Sequence, residues 1–294
     1  MENNGFCIFF GLKSLSTPIR FSLGPNLLSR VTEDEYLMLK KNIFHLTNKK
    51  EEENQLLTIS PNSALLFDVF GTVVDWRSGI IRDLTKHFER FPCRYAPEVV
   101  ADAWRAQYQP SMEQIRKGNH GFVDLDTLHR ENLRRIAHQY SFSLGSSESE
   151  DWIVRAWHRL PCWPDSREGI NVLKEKFICA SQSNGHIALA VNLARYNNYS
   201  WDVILGAEIV RTYKPDPNAY RRAAACLGLE PSSCMMVAAH NYDLKAAQDV
   251  GFKTAFVRRP TEHGPNQTID LEASGNWDIC VESLTDLAAK LSCR

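Results

Sequence analysis

The chain has 294 residues, 44% of them apolar, and 34 Lys and Arg balance 35 Asp and Glu to a net charge of −1. That is material for one large domain or two modest ones, and the basic doublets Arg134-Arg135, Arg221-Arg222 and Arg258-Arg259 are too scattered to form a nucleic-acid footprint. No apolar run approaches the ~18 residues of a membrane span. The eight cysteines show no C-x-x-C spacing, and Cys179 and Cys234 lie inside apolar runs, which suits reduced thiols in a cytoplasmic compartment.

Residues 1–61 form an extension of no evident role, ending in the charged run Lys49-Lys50-Glu51-Glu52-Glu53. Residues 6–24 hold Lys13, Arg20 and several serines without an acid, a faint likeness to a mitochondrial transit peptide that Glu2 and the few basic residues oppose. The run Ala64 to Phe67, closed by Asp68 and soon by Gly71-Thr72, has the pattern of a buried strand entering a tight turn. From about Ile81 to Pro164 the pattern is helical. One helix opens at Pro97 and closes at Gly118, with a break near Gln109 imposed by Pro110. A second follows the N-cap residue Asp124 to His138, and a third runs from Ser149 to Leu160.

Strands and helices then alternate. The strands are 177–182, 202–206, 234–239 and 254–258; the helices between them are 187–197, 218–228 and 244–250. That alternation marks a parallel sheet wrapped by helices, a Rossmann-like α/β core.

Polar residues gather at the predicted strand ends, where open α/β sheets build their sites. Asp68, fixed at the exit of the first strand, is a candidate nucleophile, with turn capping as the alternative. Ser183-Asn184-Gly185 offers an anion cradle or an ordinary helix cap. Lys214 is presented by the stiff Lys-Pro-Asp-Pro tip, where an ammonium would keep a buried carboxylate ionised. Asp243 follows the strand at 234–239, and it either joins the site or caps the next helix.

These motifs resemble the haloacid dehalogenase superfamily, whose first motif carries the attacking Asp. Superfamily phosphatases have a second acid two positions on, which protonates an alkoxide leaving group; that position is Phe70 here. A halide needs no proton. Phosphatases also place two carboxylates in the loop around 240, which with the first Asp bind Mg²⁺; this loop offers Asp243 alone. The expectation is a site without metal or cofactor.

Over roughly Ser63 to Arg259, loop order and the helical insertion are similar to the type II (S)-2-haloacid dehalogenases. The resemblance implies a core of residues 62–80 and 166–294 with a helical cap at 81–165. It implies hydrolytic dehalogenation of small (S)-2-haloalkanoic acids through a covalent ester on Asp68. Trp104-Arg105-Ala106-Gln107-Tyr108 matches the segment whose Arg receives the halide, so Arg105 is the halide-side cation, joined by Asn184. Ser183 would bind the substrate carboxylate, and Lys214, Tyr220 and Asp243 match positions for ion pairing and water activation.

Two departures stand out: Ala238 and His240 replace a Ser and an Asn, and Phe70 replaces a Tyr. His240 is open to two roles, as a base for water or as a ring filling the place of the amide. The alternatives to dehalogenation are a phosphatase of the same superfamily and a catalytically silent ligand-binding protein on this fold. The expected partner is a small-molecule substrate, with no nucleic acid or membrane, and a homodimer is a compatible assembly.

Overall fold

The computed structural model describes residues 63–118 and 121–293, so the expectations for residues 1–61 lie outside the described residues. A six-stranded parallel sheet has the order β3-β2-β1-β4-β5-β6. Its strands are β1 (Ala64–Phe67), β2 (Ile178–Gln182), β3 (Val203–Leu205), β4 (Cys234–Ala238), β5 (Lys253–Val257) and β6 (Ile279–Val281). Strand β1 is central because it is short, wholly apolar and buried on both faces. Its side chains alternate: Leu65 and Phe67 enter one core, Ala64 and Leu66 the other. The chain leaves β1 for β2 and β3 on one side, then crosses to β4 on the other. The carboxyl ends of β1, β2 and β4 therefore meet at a topological switch point.

Helices α1 (Trp76–Arg90), α2 (Pro97–Ala106), α3 (Tyr108–Arg116), α4 (Leu125–Tyr140) and α5 (Ser147–Val154) lie between β1 and β2. The expected boundary between residues 80 and 81 thus falls inside α1, which starts at Trp76 because Asp75 caps it by accepting from the Ser78 N–H. The predicted break comes at Gln107 rather than Gln109. Pro110 sits in the first turn of α3, where its missing N–H is not needed. Asp124 caps α4 as expected, and the buried face of that helix follows the 3.6-residue period through Leu125, Leu128, His129, Asn132, Leu133 and Ile136. The predicted third helix is shorter than expected; it ends at Val154 and tightens into a 3₁₀ turn over Arg155–His158.

Helices α6 (Ser166–Lys174), α7 (Ile187–Asn197), α8 (Ala207–Val210), α9 (Pro217–Cys226), α10 (Asn241–Asp249) and α11 (Leu284–Lys290) complete the core. Among the described residues the cysteines are free thiols, and no helix is long and apolar enough to cross a membrane. The insertion sits against the strand ends through specific bonds: Arg116 Nη1 donates to the Lys214 carbonyl (3.0 Å), and Tyr213 Oη donates to the Val123 carbonyl.

Candidate active site

Asp68 leaves β1 with its N–H bonded to the Val237 carbonyl, so its carboxylate is fixed at the mouth of the switch point. It is 7% exposed. Oδ1 accepts from Lys214 Nζ at 3.0 Å. Oδ2 accepts from Thr72 Oγ1 at 2.8 Å and faces His240 Nδ1 at 3.2 Å. Thr72 Oγ1 itself accepts from the Ala239 N–H at 2.9 Å, which commits its proton to Asp68. Burial alone would raise the Asp68 pKa, but Lys214 and His240 hold it well below the usual carboxylate range. Asp68 is therefore ionised and gripped, not a mere turn cap.

Lys214 is buried, and Nζ is shared between Asp68 and Asp243. Despite burial, these two carboxylates raise its pKa. The Lys214 N–H donates to Asn184 Oδ1 at 2.7 Å, tying two loops together. Asp243 lies in the first turn of α10, but its carboxylate takes bonds from Lys214 and Tyr220 instead of capping the helix, whose N-cap is His240. Burial pushes its pKa up, against the pull of Lys214. Tyr220, matched by resemblance to a position for ion pairing and water activation, is fully buried behind Asp243 and packs edge-on against Phe252. It positions the carboxylate from the rear. Ser183 Oγ accepts from the Gly185 N–H at 3.1 Å, so it shapes the loop and still has a proton to donate. Neither Ser183 nor Asn184 caps α7, because that position belongs to His186.

His240 has carboxylates on both ring nitrogens: Asp68 at Nδ1, and Glu262 at Nε2, with contacts of 3.1 and 3.0 Å. Only the imidazolium donates from both nitrogens. Although burial lowers its pKa, Glu262 and Asp68 raise it well above the ordinary histidine value. A ring that already carries both protons is no base, so the first of its two expected roles gives way to that of a charged donor. Glu262 escaped the sequence reading. It is 1% exposed and also accepts from Trp76 Nε1 at 3.0 Å. No motif flags it, since it lies in the long loop after β5. The only hint is Gly71, whose φ of +87° and absent side chain make room: a Cβ there would sit 2.1 Å from Glu262 Oε1.

The insertion forms the opposite wall. Phe70 is buried and meets Tyr108 and Trp157 edge-on. Arg105 is half-buried, with its guanidinium 4.1 Å from the Tyr108 ring centroid and 5.3 Å from that of Trp76. Among the described residues it forms no ion pair. Tyr108 faces Asn184, and Trp76 donates to Glu262, so Arg105 lies on the side of the polar cluster and not on the outer face of α2. Asp68, Asp243 and Glu262 are matched by Lys214, His240 and Arg105, so a bound carboxylate would meet no net negative charge.

The donor set does not suit Mg²⁺, which the superfamily implies. Lys214 Nζ already bridges the two carboxylates that would bind it, Phe70 supplies no oxygen, and His240 is protonated.

Fold and site together define a capped α/β hydrolase with a buried, ionised aspartate at the end of its first strand. A family model for haloacid dehalogenase-like hydrolases matches residues 63–251, and the chain belongs to that family. It is 26% identical over 239 residues to (S)-2-haloacid dehalogenase 4A of Burkholderia cepacia, covering 76% of this chain and 97% of that protein. The crystal structure of a defluorinating L-2-haloacid dehalogenase superposes with a TM-score of 0.77 at 46% identity, over 79% of this chain and 96% of the other. That of a further L-2-haloacid dehalogenase gives 0.75 at 41% identity, over 79% and 99%.

Proposed function

We propose that this chain hydrolyses the carbon–halogen bond of small (S)-2-haloalkanoic acids, with the helical insertion between β1 and β2 as its cap. The observation that carries the reading is the pairing of an ionised Asp68 with Phe70: a nucleophile whose position two residues on holds a phenyl ring in place of the phosphatase acid suits a leaving group that needs no proton. Relatives named as (S)- and L-2-haloacid dehalogenases support it.

Asp68 Oδ1 attacks C2 in line with the halide, forming an ester and inverting the carbon. Arg105 and Asn184 stabilise the departing anion, and Ser183 with the 183–185 loop holds the substrate carboxylate. Oδ2, already facing Thr72 and His240, becomes the ester carbonyl. Water, oriented by Asp243 and Lys214, attacks that carbonyl, and Thr72 with the His240 imidazolium forms the oxyanion hole for the charge that develops on Oδ2. Collapse breaks the bond between the Asp68 carboxyl carbon and the ester oxygen, and the proton that Asp243 takes from water goes to the departing hydroxy acid. The Asp243 pKa is raised, which strengthens it as the acceptor of the water proton. Free thiols throughout the described residues favour action in a reducing compartment.

The test is halide release from chloroacetate, fluoroacetate and both enantiomers of 2-chloropropionate, with Mg²⁺ and with a chelator, beside a phosphate ester. Release from the (S)-enantiomer that is indifferent to Mg²⁺ is the expected result. Mg²⁺-dependent phosphate release without dehalogenation would make the chain a phosphatase, and binding without turnover would make it a silent member of the fold.

A further inference from the structure

A second polar cluster lies behind the 183–185 loop, and the proposed chemistry does not use it. Asp126 comes from the first turn of α4, His158 from the 3₁₀ turn after α5, and His186 from the N-cap of α7. Two of these belong to the insertion and one to the core. His158 Nε2 is 2.8 and 2.9 Å from the two Asp126 oxygens, and His186 Nε2 is 3.6 Å from Oδ2. One ligand atom from each residue lies within 4.8 Å of the others, and the two imidazoles stand at 65° with centroids 5.7 Å apart. Tetrahedral zinc with bonds of about 2.0–2.1 Å has ligand–ligand edges of about 3.3 Å. The observed Asp–His spacings bracket that value, and the two imidazole ligand atoms lie within 4.8 Å of each other, so the three side chains can close on one ion by small side-chain adjustments.

The surroundings fit as well. Asn192 Nδ2 lies 2.8 Å from His158 Nδ1. Turning that amide over presents its oxygen to the Nδ1–H, the outer-shell partner that a zinc-bound histidine uses. His186 faces Asp126 through Nε2, and its buried Nδ1 lacks the outer-shell partner that Asn192 can give His158. Asp126 supplies a carboxylate that His158 already holds and that His186 faces. Two imidazoles and a carboxylate make a donor set for a borderline transition metal, not for Mg²⁺ or Ca²⁺.

We propose that Asp126, His158 and His186 form a Zn²⁺ site, with water in the fourth position, that clips the helical insertion to the core. His186 is two residues from Asn184, so the ion would steady the loop that faces the substrate without touching it. The site makes no use of Asp68 or its chemistry, so it stands whether or not the chain is a dehalogenase.

The full chain, stripped by a chelator and desalted, should be titrated with Zn²⁺ against a chromophoric zinc indicator, with Tm followed in parallel. One equivalent per chain should bind, Tm should climb with the logarithm of free Zn²⁺, and X-ray absorption should show a shell of N and O alone. Asp126→Asn and His186→Ala should each weaken binding by at least about tenfold. His186→Gln, checked by circular dichroism, serves if the alanine variant does not fold. A failure to bind stoichiometrically, a shell containing cysteine sulfur, or affinity unchanged in these variants would overturn the proposal. So would loss of binding in His263→Ala, since that would move the ion to the cluster of His240, Glu262 and His263.

Discussion

Glu262→Gln removes one charge from the centre of the site while keeping its shape. In the wild type both Glu262 oxygens face His240 Nε2, at 3.1 and 3.0 Å, in a region closed to solvent. At an effective dielectric of about 20, a unit pair near 4 Å is worth about 4 kcal/mol, or about three pKa units at 1.36 kcal/mol each. The glutamine oxygen still accepts a bond, so the His240 pKa should fall by about two units. A folded-state pKa raised above about 6.5 contributes stability that is full below that pH and is lost as pH rises through the folded value. The variant should lose that contribution at a lower pH, and near neutrality it should be less stable by about 3 kcal/mol, because a buried pair has been broken.

Ester hydrolysis should respond in the same direction. Once His240 is neutral, the hole around Oδ2 loses its charged donor, and hydrolysis should slow by about 10²-fold, while ester formation changes less. Two-dimensional NMR of the histidine rings gives the His240 pKa, and quenched single turnovers give the two chemical rates against pH. An unchanged His240 titration, or an alkaline limb that does not move, would refute the charged-donor role.

Three further outcomes are expected. Arg105→Ala should lower turnover by about 10²-fold or more with circular dichroism unchanged, because it removes the cation proposed to receive the halide from a half-buried helix position; an unchanged rate would place Arg105 outside the site. His240→Asn should accumulate the ester in rapid-quench experiments, and equal slowing of both steps would return the ring to packing. Leu66→Ala, in the fully buried centre of β1, should cost about 2–5 kcal/mol in urea unfolding; a loss below about 1 kcal/mol would mean that the core around β1 collapses into the gap.

The core was legible because its signals are local. Apolar runs of five residues, glycine-closed turns and a capping residue such as Asp124 fix strand and helix ends by short-range chemistry, whereas the cap at Asp75 went unread and the first helix starts five residues before the expected Ile81. The strands at 178–182, 234–238 and 253–257 fall within a residue or so of expectation. Strand β6 and helix α11 escaped because three apolar residues after a long irregular loop carry no periodicity to detect. The polar cluster was legible at each strand tip where motif and fold agree: Asp68, Asn184, Lys214 and Asp243. Glu262 was not, since its role comes from a contact with His240, 22 positions away in sequence, and from space left by Gly71. The orientation of Tyr220 was equally hidden, because spacing puts it near the site but does not say which side of Asp243 it occupies.

The central claim is that Asp68 attacks carbon directly, and isotope transfer tests it most directly. A single turnover of (S)-2-chloropropionate in ¹⁸O-water with excess enzyme should give mostly unlabelled lactate, and mass spectrometry should find ¹⁸O in the peptide containing Asp68. Labelled lactate in that first turnover, with no label on Asp68, would mean that water attacks the substrate itself and would contradict the covalent route.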